Sequence, residues 1–422
     1  MSASKDRTLD FVTQGYLWTT RLRAGSSDAQ ASRRLPIKVL GSQALLVNGE
    51  EGVRLFYDQD RIQRSGAMPK VVGGGLFGKG SVHGLDGDQH RVRKAMFIRA
   101  AMDRPRVDAL LADAQQEWQK IVELWLQGEK LSVYDAAVLV YGRSIVRWAG
   151  LQVDDQTLDW IATTQAEIVD GFAVVGPAWL RTRKDRETMD EWFTEQVRKA
   201  RAGEIEVADD SPFRMVLDHV EADGSTMDDH LTGVELQNLI RPTIAVARFA
   251  AFAAVALAEH PQWRDRIRAE TSERGTTIEG PVATAFAEEV RRHFPFVPLL
   301  PATARKDFVF EGQQVRKGQK ILLDFYGTNH DEASWERPNT FDPQRFLDDP
   351  SHRESDHFIP QGGGTAETGH RCPGEWIAVG QLALTVAELA QLTMEMPADQ
   401  DWSMTRMPTA PKDGALPTSV SR

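Results

Sequence analysis

Residues 358–380 read FIPQGGGTAETGHRCPGEWIAVG, and the Cys372 they contain is the only cysteine in a chain of 422 residues. A glycine-rich approach leads to it, His370 and Arg371 stand beside it, and Pro373-Gly374 opens an apolar run with helical periodicity. A sulfur just ahead of a helix N-terminus meets backbone N–H groups and the positive end of the helix dipole, and both favour the thiolate. The thiolate is the form that binds a metal. The plainer alternative is a small buried cysteine packed like any apolar side chain, but the glycine-rich loop and basic neighbours favour the metal-bound reading. A lone cysteine excludes an internal disulfide and any site built from several thiols.

Outward from this loop the chain reads as mainly α with small β-sheets. Residues 375–396, EWIAVGQLALTVAELAQLTMEM, are expected as one final apolar helix, and residues 283–294 as another. Between them FVFEGQQVRKGQKILLD, 308–324, has apolar runs broken at Glu311-Gly312 and Lys317-Gly318, a hairpin signal. Asp228 to His260 reads as a single helix with Pro242 inside it; at ~1.5 Å per residue it is roughly 50 Å long. From Asp103 to about Arg201, Leu, Trp and Ile recur at helical spacing. Near the start, LPIKVLGSQALLVNG gives two strands around Gly41-Ser42, GEEGVRLFYD a short helix, and VVGGGLFGKG a glycine-rich loop over 71–80.

The net charge of −11 argues against nucleic acid or an anionic membrane surface as the main partner. The opening MSASKDRTLDFVTQ is polar and mixed in charge, unlike a signal peptide. The longest apolar stretch, AFAAVALA, is too short to span a bilayer. A cytoplasmic protein without a membrane anchor is expected. No linker, repeat or charge block divides the chain, so a single domain over 1–422 is expected.

Three strings taken in order extend this reading. The loop 358–374 carries a Cys-Pro-Gly end; Glu289 and Arg292 in AEEVRRHFPF form an E-x-x-R pair; Arg345 follows in FDPQRF. An (i, i+3) ion pair is common on any helix, but in this order the strings resemble the cytochrome P450 superfamily from end to end. The resemblance implies that fold, with a long central helix over haem b and the iron held by Cys372. It gives Glu289, Arg292 and Arg345 a structural role. Thiolate ligation favours cleavage of an O–O bond. The resemblance also implies that His90, in GDQHRVRKAMF, binds a haem propionate, with Arg93 and Lys94 one turn on adding positive charge, while Arg371 beside the cysteine can meet an acidic group of the cofactor. A solvated basic helix face is the alternative for the His90 segment.

Departures from the common pattern narrow the branch. NLIRPTIAVARFAAF in the central helix lacks the acid–alcohol pair of ordinary monooxygenases, and 14 positions separate Phe358 from Cys372. These features, with LIRPT, EVRR and LDFYGTNHD, resemble the peroxide-driven fatty-acid peroxygenases, which hydroxylate fatty acids or decarboxylate them. Physical chemistry supports this at Arg241. Its helical neighbours Leu239, Ile240, Ile244, Ala245 and Val246 include no acid, and a desolvated guanidinium without a partner is costly. Arginine also grips a carboxylate in bidentate fashion, so the expected partner is the carboxylate of a long-chain fatty acid. Pro242 removes a helix hydrogen bond and opens room for that head group. The alternative is a surface arginine at a kink. A carboxylate beside the iron can accept and return the proton of hydrogen peroxide; the oxidant is then peroxide, with no obligatory redox partner.

The resemblance places His83 on the distal side, with Phe77 beside it. A protonatable imidazole there is expected to bias alkene against hydroxy-acid formation; mere packing on Phe77 is the alternative. Ile168, Val169 and Phe172 in AEIVDGFAVVGP, with Phe296, match the region lining an acyl channel, though such side chains serve a core equally well. Two other functions compete: a monooxygenase fed by separate redox proteins, and a non-catalytic haem carrier or gas sensor.

Overall fold

The computed structural model describes residues 5–25, 33–69, 73–171, 177–398 and 400–422. Strand β1 (Arg34–Val39) and strand β2 (Ser42–Val47) form an antiparallel hairpin that pairs Val39 with Ser42. The turn is therefore Leu40-Gly41, one residue earlier than the sequence suggested. Both have positive φ, 50° and 71°, as a two-residue turn matching strand twist requires. Further strands are β3 (Ile62–Gln63), β4 (Leu299–Ala304) and β7 (Lys320–Asp324), and the sheet order is β1-β2-β7-β4-β3. The β2–β7 pair is parallel, Ala44 facing Lys320, so the N-terminal hairpin is completed by a strand far along the chain. The small hairpin of β5 (Phe308–Phe310) and β6 (Gln313–Val315) turns at Glu311-Gly312, as expected.

The rest is helical. Helices Arg104–Leu126, Val133–Ala149, Asp155–Gly171 and Pro177–Arg201 pack with Asp229–Ala245 around one large apolar core. The central helix starts at Asp228, whose side chain caps the Leu231 N–H at 2.7 Å. A Cβ at Gly233 would lie 2.9–3.0 Å from backbone atoms of Thr194 and Phe193; glycine lets the Pro177–Arg201 helix cross this closely. The single long helix foreseen from 228 to 260 is two. The hydrogen-bond ladder lapses at Val246, one turn beyond Pro242, and a second helix runs Ala247–Glu259. Proline, which lacks a donor, is the usual cause of such a discontinuity. By length and composition 229–259 is apolar enough to cross a membrane, but it is the buried heart of this fold.

The last helix, Glu375–Ala390, is also shorter than foreseen. Strand β8 (Thr393–Glu395) leaves it to pair with strand β9 (Ser419–Ser421). That partner lies beyond the reach of a local pattern.

Helix Pro281–His293 carries the expected Glu-Arg-Arg network. Arg292 meets Glu289 in bidentate fashion at 2.7 Å, Arg345 Nε approaches the same carboxylate at 3.4 Å, and the Asp342 N–H donates at 2.8 Å. Arg292 also donates to the Pro338 and Asn329 carbonyls. Removing the anion leaves buried cations without a counter-charge, a loss of about 3–5 kcal/mol. Glu289→Ala is therefore expected to lower the urea midpoint of unfolding markedly. A loss below about 1 kcal/mol, the range of an exposed pair, would show that the network carries little of the stability.

Candidate functional site

The Cys372 loop is held from both sides. Ile359 N–H donates to Asn329 Oδ1 at 2.9 Å, and Cys372 N–H to the Gln361 carbonyl at 3.1 Å. Gly362 has φ 104°, and a Cβ on Gly363 would come within 2.6 Å of Val53, so the loop depends on its glycines there. Arg291 joins the loop to helix Pro281–His293, donating to Gln361 Oε1 (2.7 Å) and Glu375 Oε1 (2.5 Å). Arg371 Nε meets the other oxygen of Glu375 at 2.6 Å, and its Nη2 donates to the Arg353 carbonyl. The Arg371 guanidinium is thus engaged with the scaffold of the loop. Burial pushes the Cys372 thiol up, opposed first by the Gly374 N–H. A thiolate at this depth calls for a cation at sulfur, which suits an iron ligand.

Basic groups gather beside this loop. The His90 and His370 rings stack at 3.9 Å. Lys94 Nζ donates to the Gly369 and Arg371 carbonyls. Burial, then Lys94, pushes His90 down to about 4; burial, then His90, pushes His370 to about 2; burial lowers Lys94 to about 8. Arg64, stacked on Phe56 at 3.7 Å, has a buried Nη2 with no hydrogen-bond partner among the described residues. The Lys94 and Arg64 cations, the neutral imidazoles beside them and an idle buried donor fit the two carboxylates of a haem. Arg64 was missed in the sequence because QDRIQRSG looks like any polar turn.

On the opposite side the central helix presents Glu235, Asn238 and Arg241 at (i, i+3) spacing, all buried. Arg241 is 2% exposed. Its Nη2 donates to Asn238 Oδ1, and its Nη1 has no hydrogen-bond partner among the described residues. Burial, and next the charge of Arg186, lowers its pKa well below the usual value. The sequence suggested no acid nearby, and this is corrected: Glu235 and Asp190 are within electrostatic reach. Both are already committed, Glu235 to Arg93 at 3.1 Å and Asp190 to Arg186 at 2.7 Å. Glu235 lies just beyond the neighbours considered, and Asp190 is on another helix. The 235-238-241 polar spacing in an apolar helix was the available signal.

Two of these residues, Glu235 and Asn238, also hold the loop that carries Phe77 and Val82. Asn238 Nδ2 donates to Glu235 Oε2 (2.8 Å) and the Phe77 carbonyl (3.1 Å), and Glu235 Oε1 accepts the Val82 N–H at 2.7 Å. Phe77 and His83 stack, centroids 4.1 Å apart and planes at 21°. Burial pushes His83 down to about 3, with Arg241 the next cause. The ring is neutral at neutral pH, where the sequence suggested one poised to titrate. A carboxylate arriving at Arg241 offsets the second cause and leaves the first. Pro242 sits one residue past Arg241, with the helix lapse a turn further on. Ile168 and Val169 are buried in helix Asp155–Gly171, and Phe296 packs on Phe249 at 5.0 Å. Phe172 lies outside the described residues.

The "Cytochrome P450" family model matches residues 242–412. Among curated proteins, rhazimal synthase of Alstonia scholaris is 29% identical over 195 residues, covering 42% of this chain and 38% of that protein. Cytochrome P450 4A10 of Mus musculus is 32% identical over 154 residues, covering 34% and 29%. The matched stretch spans only about a third of these relatives' own length. Solved structures match throughout. A variant of cytochrome P450 OleT in complex with arachidonic acid superposes with TM-score 0.91 at 31% identity, over 100% of this chain and 97% of that one. Cytochrome P450SP alpha in complex with (R)-ibuprophen gives 0.91 and 31%, over 99% of each.

Proposed function

Because this chain belongs to the cytochrome P450 family, we propose that it is a cytoplasmic fatty-acid peroxygenase. With hydrogen peroxide it hydroxylates long-chain fatty acids at the α or β carbon and decarboxylates them to terminal alkenes, without an obligatory redox partner. The observation that carries this reading is the idle, buried Nη1 of Arg241 on a central helix with no acid–alcohol pair. OleT with arachidonic acid and P450SP alpha with (R)-ibuprophen are complexes with carboxylic acids, which supports an acid as ligand.

Cys372 would hold the iron of haem b, with Arg64, His90 and Lys94 toward its propionates; thiolate-bound iron supplies activation of the peroxide O–O bond. Arg241 binds the substrate carboxylate, and Asn238 fixes the plane of the guanidinium through Nη2. The bound carboxylate, placed by proximity, takes the peroxide proton and returns it. The substrate thereby provides the acid–base group that the helix lacks. Ile168, Val169 and Phe296 line the acyl chain's path and keep water from it. Incubating the purified haem protein with a fatty-acid series and hydrogen peroxide, with products identified by mass spectrometry, tests the reading. Product formed only with reductant and redox proteins would make it a conventional monooxygenase. A spectral shift without product would make it a haem carrier.

His83 governs the partition between products. Burial, the larger cause, keeps the imidazole neutral even with a carboxylate on Arg241, so its bias against hydroxylation acts through a fixed ring N–H held on Phe77 and not through protonation. His83→Gln is expected to lower the alkene-to-hydroxy-acid ratio, read by gas chromatography. An unchanged ratio would leave His83 as a packing partner of Phe77.

A further inference from the structure

Two turns beyond Arg241 a second arginine meets a cleft. Arg248 is 3% exposed; its Nη2 pairs with Asp170, and its Nε and Nη1 have no hydrogen-bond partner among the described residues. The cleft, about 410 Å³, is lined by Arg248 with Tyr134, Asp170 and Gly414, and by the exposed Arg406 and Lys412. Its own carboxylates are occupied. Asp170 also accepts from Tyr134 Oη at 2.8 Å, Asp135 accepts from Ser132 Oγ at 2.7 Å, and Asp413 accepts the Ala415 N–H at 3.0 Å. Two idle donors on a buried guanidinium are costly to leave unfilled, and Nε and Nη1, on the two edges either side of the Asp170-bound Nη2, each offer a carboxylate oxygen a charge-assisted hydrogen bond.

The position of this cleft gives the ligand its shape. Asp170 directly follows Ile168 and Val169 in helix Asp155–Gly171. Phe249, next to Arg248, packs on Phe296 with the ring planes tilted by 38°. Arg241 stands seven residues earlier, across the lapse at Val246, roughly 10 Å away at ~1.5 Å per residue. Two cleft residues, Asp170 and Arg248, are thus one position in the chain from Val169 and from Phe249, the ring that meets Phe296. We propose that the Arg248 cleft is a second carboxylate site at the far end of the acyl path, so that the enzyme takes α,ω-dicarboxylic acids with one carboxylate on Arg241 and the other on Arg248. This rests on the reading of Arg241 as the first carboxylate site.

The test is calorimetric binding to the haem-loaded enzyme. Diacids from octanedioic to hexadecanedioic acid are compared with their monomethyl esters, which keep the length and lose one charge. At one length the diacid is expected to bind at least about tenfold more tightly than its ester, about 1.4 kcal/mol. The advantage fades on either side, because the span between the arginines is fixed. Arg248→Leu erases the advantage while binding of hexadecanoic acid stays within about twofold, a difference below 0.5 kcal/mol on the same scale. Should that variant not fold, the ester comparison on the parent enzyme decides alone. Butyrate titrated into enzyme already holding hexadecanoic acid separates the sources. Binding that Arg248→Leu removes, with no diacid advantage at any length, supports the carboxylate site and assigns it to a separate small acid. Neither a diacid advantage nor butyrate binding overturns the proposal. Arg241→Leu keeps the two readings apart: undiminished hexadecanoic acid binding there would sink the first site and leave the cleft to the butyrate arm.

Discussion

Cys372→Ala is expected to abolish both turnover and the thiolate-type carbon monoxide spectrum. The chain has no other cysteine, so no neighbouring sulfur can take over. The loop itself should survive the change. Its hold comes from Asn329, Arg291, Glu375 and the Gln361 carbonyl, and none of these bonds uses the sulfur. The variant should therefore fold, with secondary structure by circular dichroism like the parent's, while its haem is lost or bound without thiolate character. Retention of the thiolate-type spectrum would refute ligation by Cys372 outright.

For Arg241→Leu the expected loss in fatty-acid turnover is at least two orders of magnitude, with normal haem content. Losing one partner of a buried charge pair costs about 2–5 kcal/mol, and here the absent cation also strands the substrate carboxylate in apolar surroundings. The free enzyme should tolerate the change well. Arg241 makes no ion pair with any described residue, and burying it raises the energy of the folded state. A small rise in melting temperature is therefore expected beside the fall in activity. Near-normal kcat/KM for hexadecanoic acid would put the carboxylate elsewhere. A short exogenous acid should restore part of the peroxide activity toward a non-acid substrate, since it supplies the acid–base group.

The parts of this molecule that were legible in the sequence are those written in neighbouring residues. The loop around Cys372, the Glu289–Arg292 pair and the β1–β2 hairpin are local patterns, and each stands where the pattern put it, the hairpin turn to within one residue. Strand β8 was not legible, because what makes 393–395 a strand is the segment 419–421. The same limit hid Asp190 and Arg186, which reach the Arg241 site from another helix. It hid Arg64 as well, whose burial against Phe56 depends on how the β3 segment lies on helix Gly49–Tyr57. His83 shows a subtler limit. Its identity and its Phe77 partner were readable, but its charge state depends on burial and on Arg241, which only the folded chain defines.

The bonds from Glu235 and Asn238 to Val82, Phe77 and Arg241 mean that these positions will not evolve independently. A change at Phe77 or His83 shifts the loop that Asn238 holds, and so perturbs the arginine on the same amide. Residues sharing such a network show interaction energies of about 0.5–3 kcal/mol, enough to reverse the sign of a substitution's effect from one background to another. Selectivity, on the function proposed above, is therefore epistatic: a substitution at 77 or 83 that shifts the product ratio in one background need not do so in another. Libraries that vary 77, 83, 235 and 238 together should reach product profiles that stepwise single changes pass by.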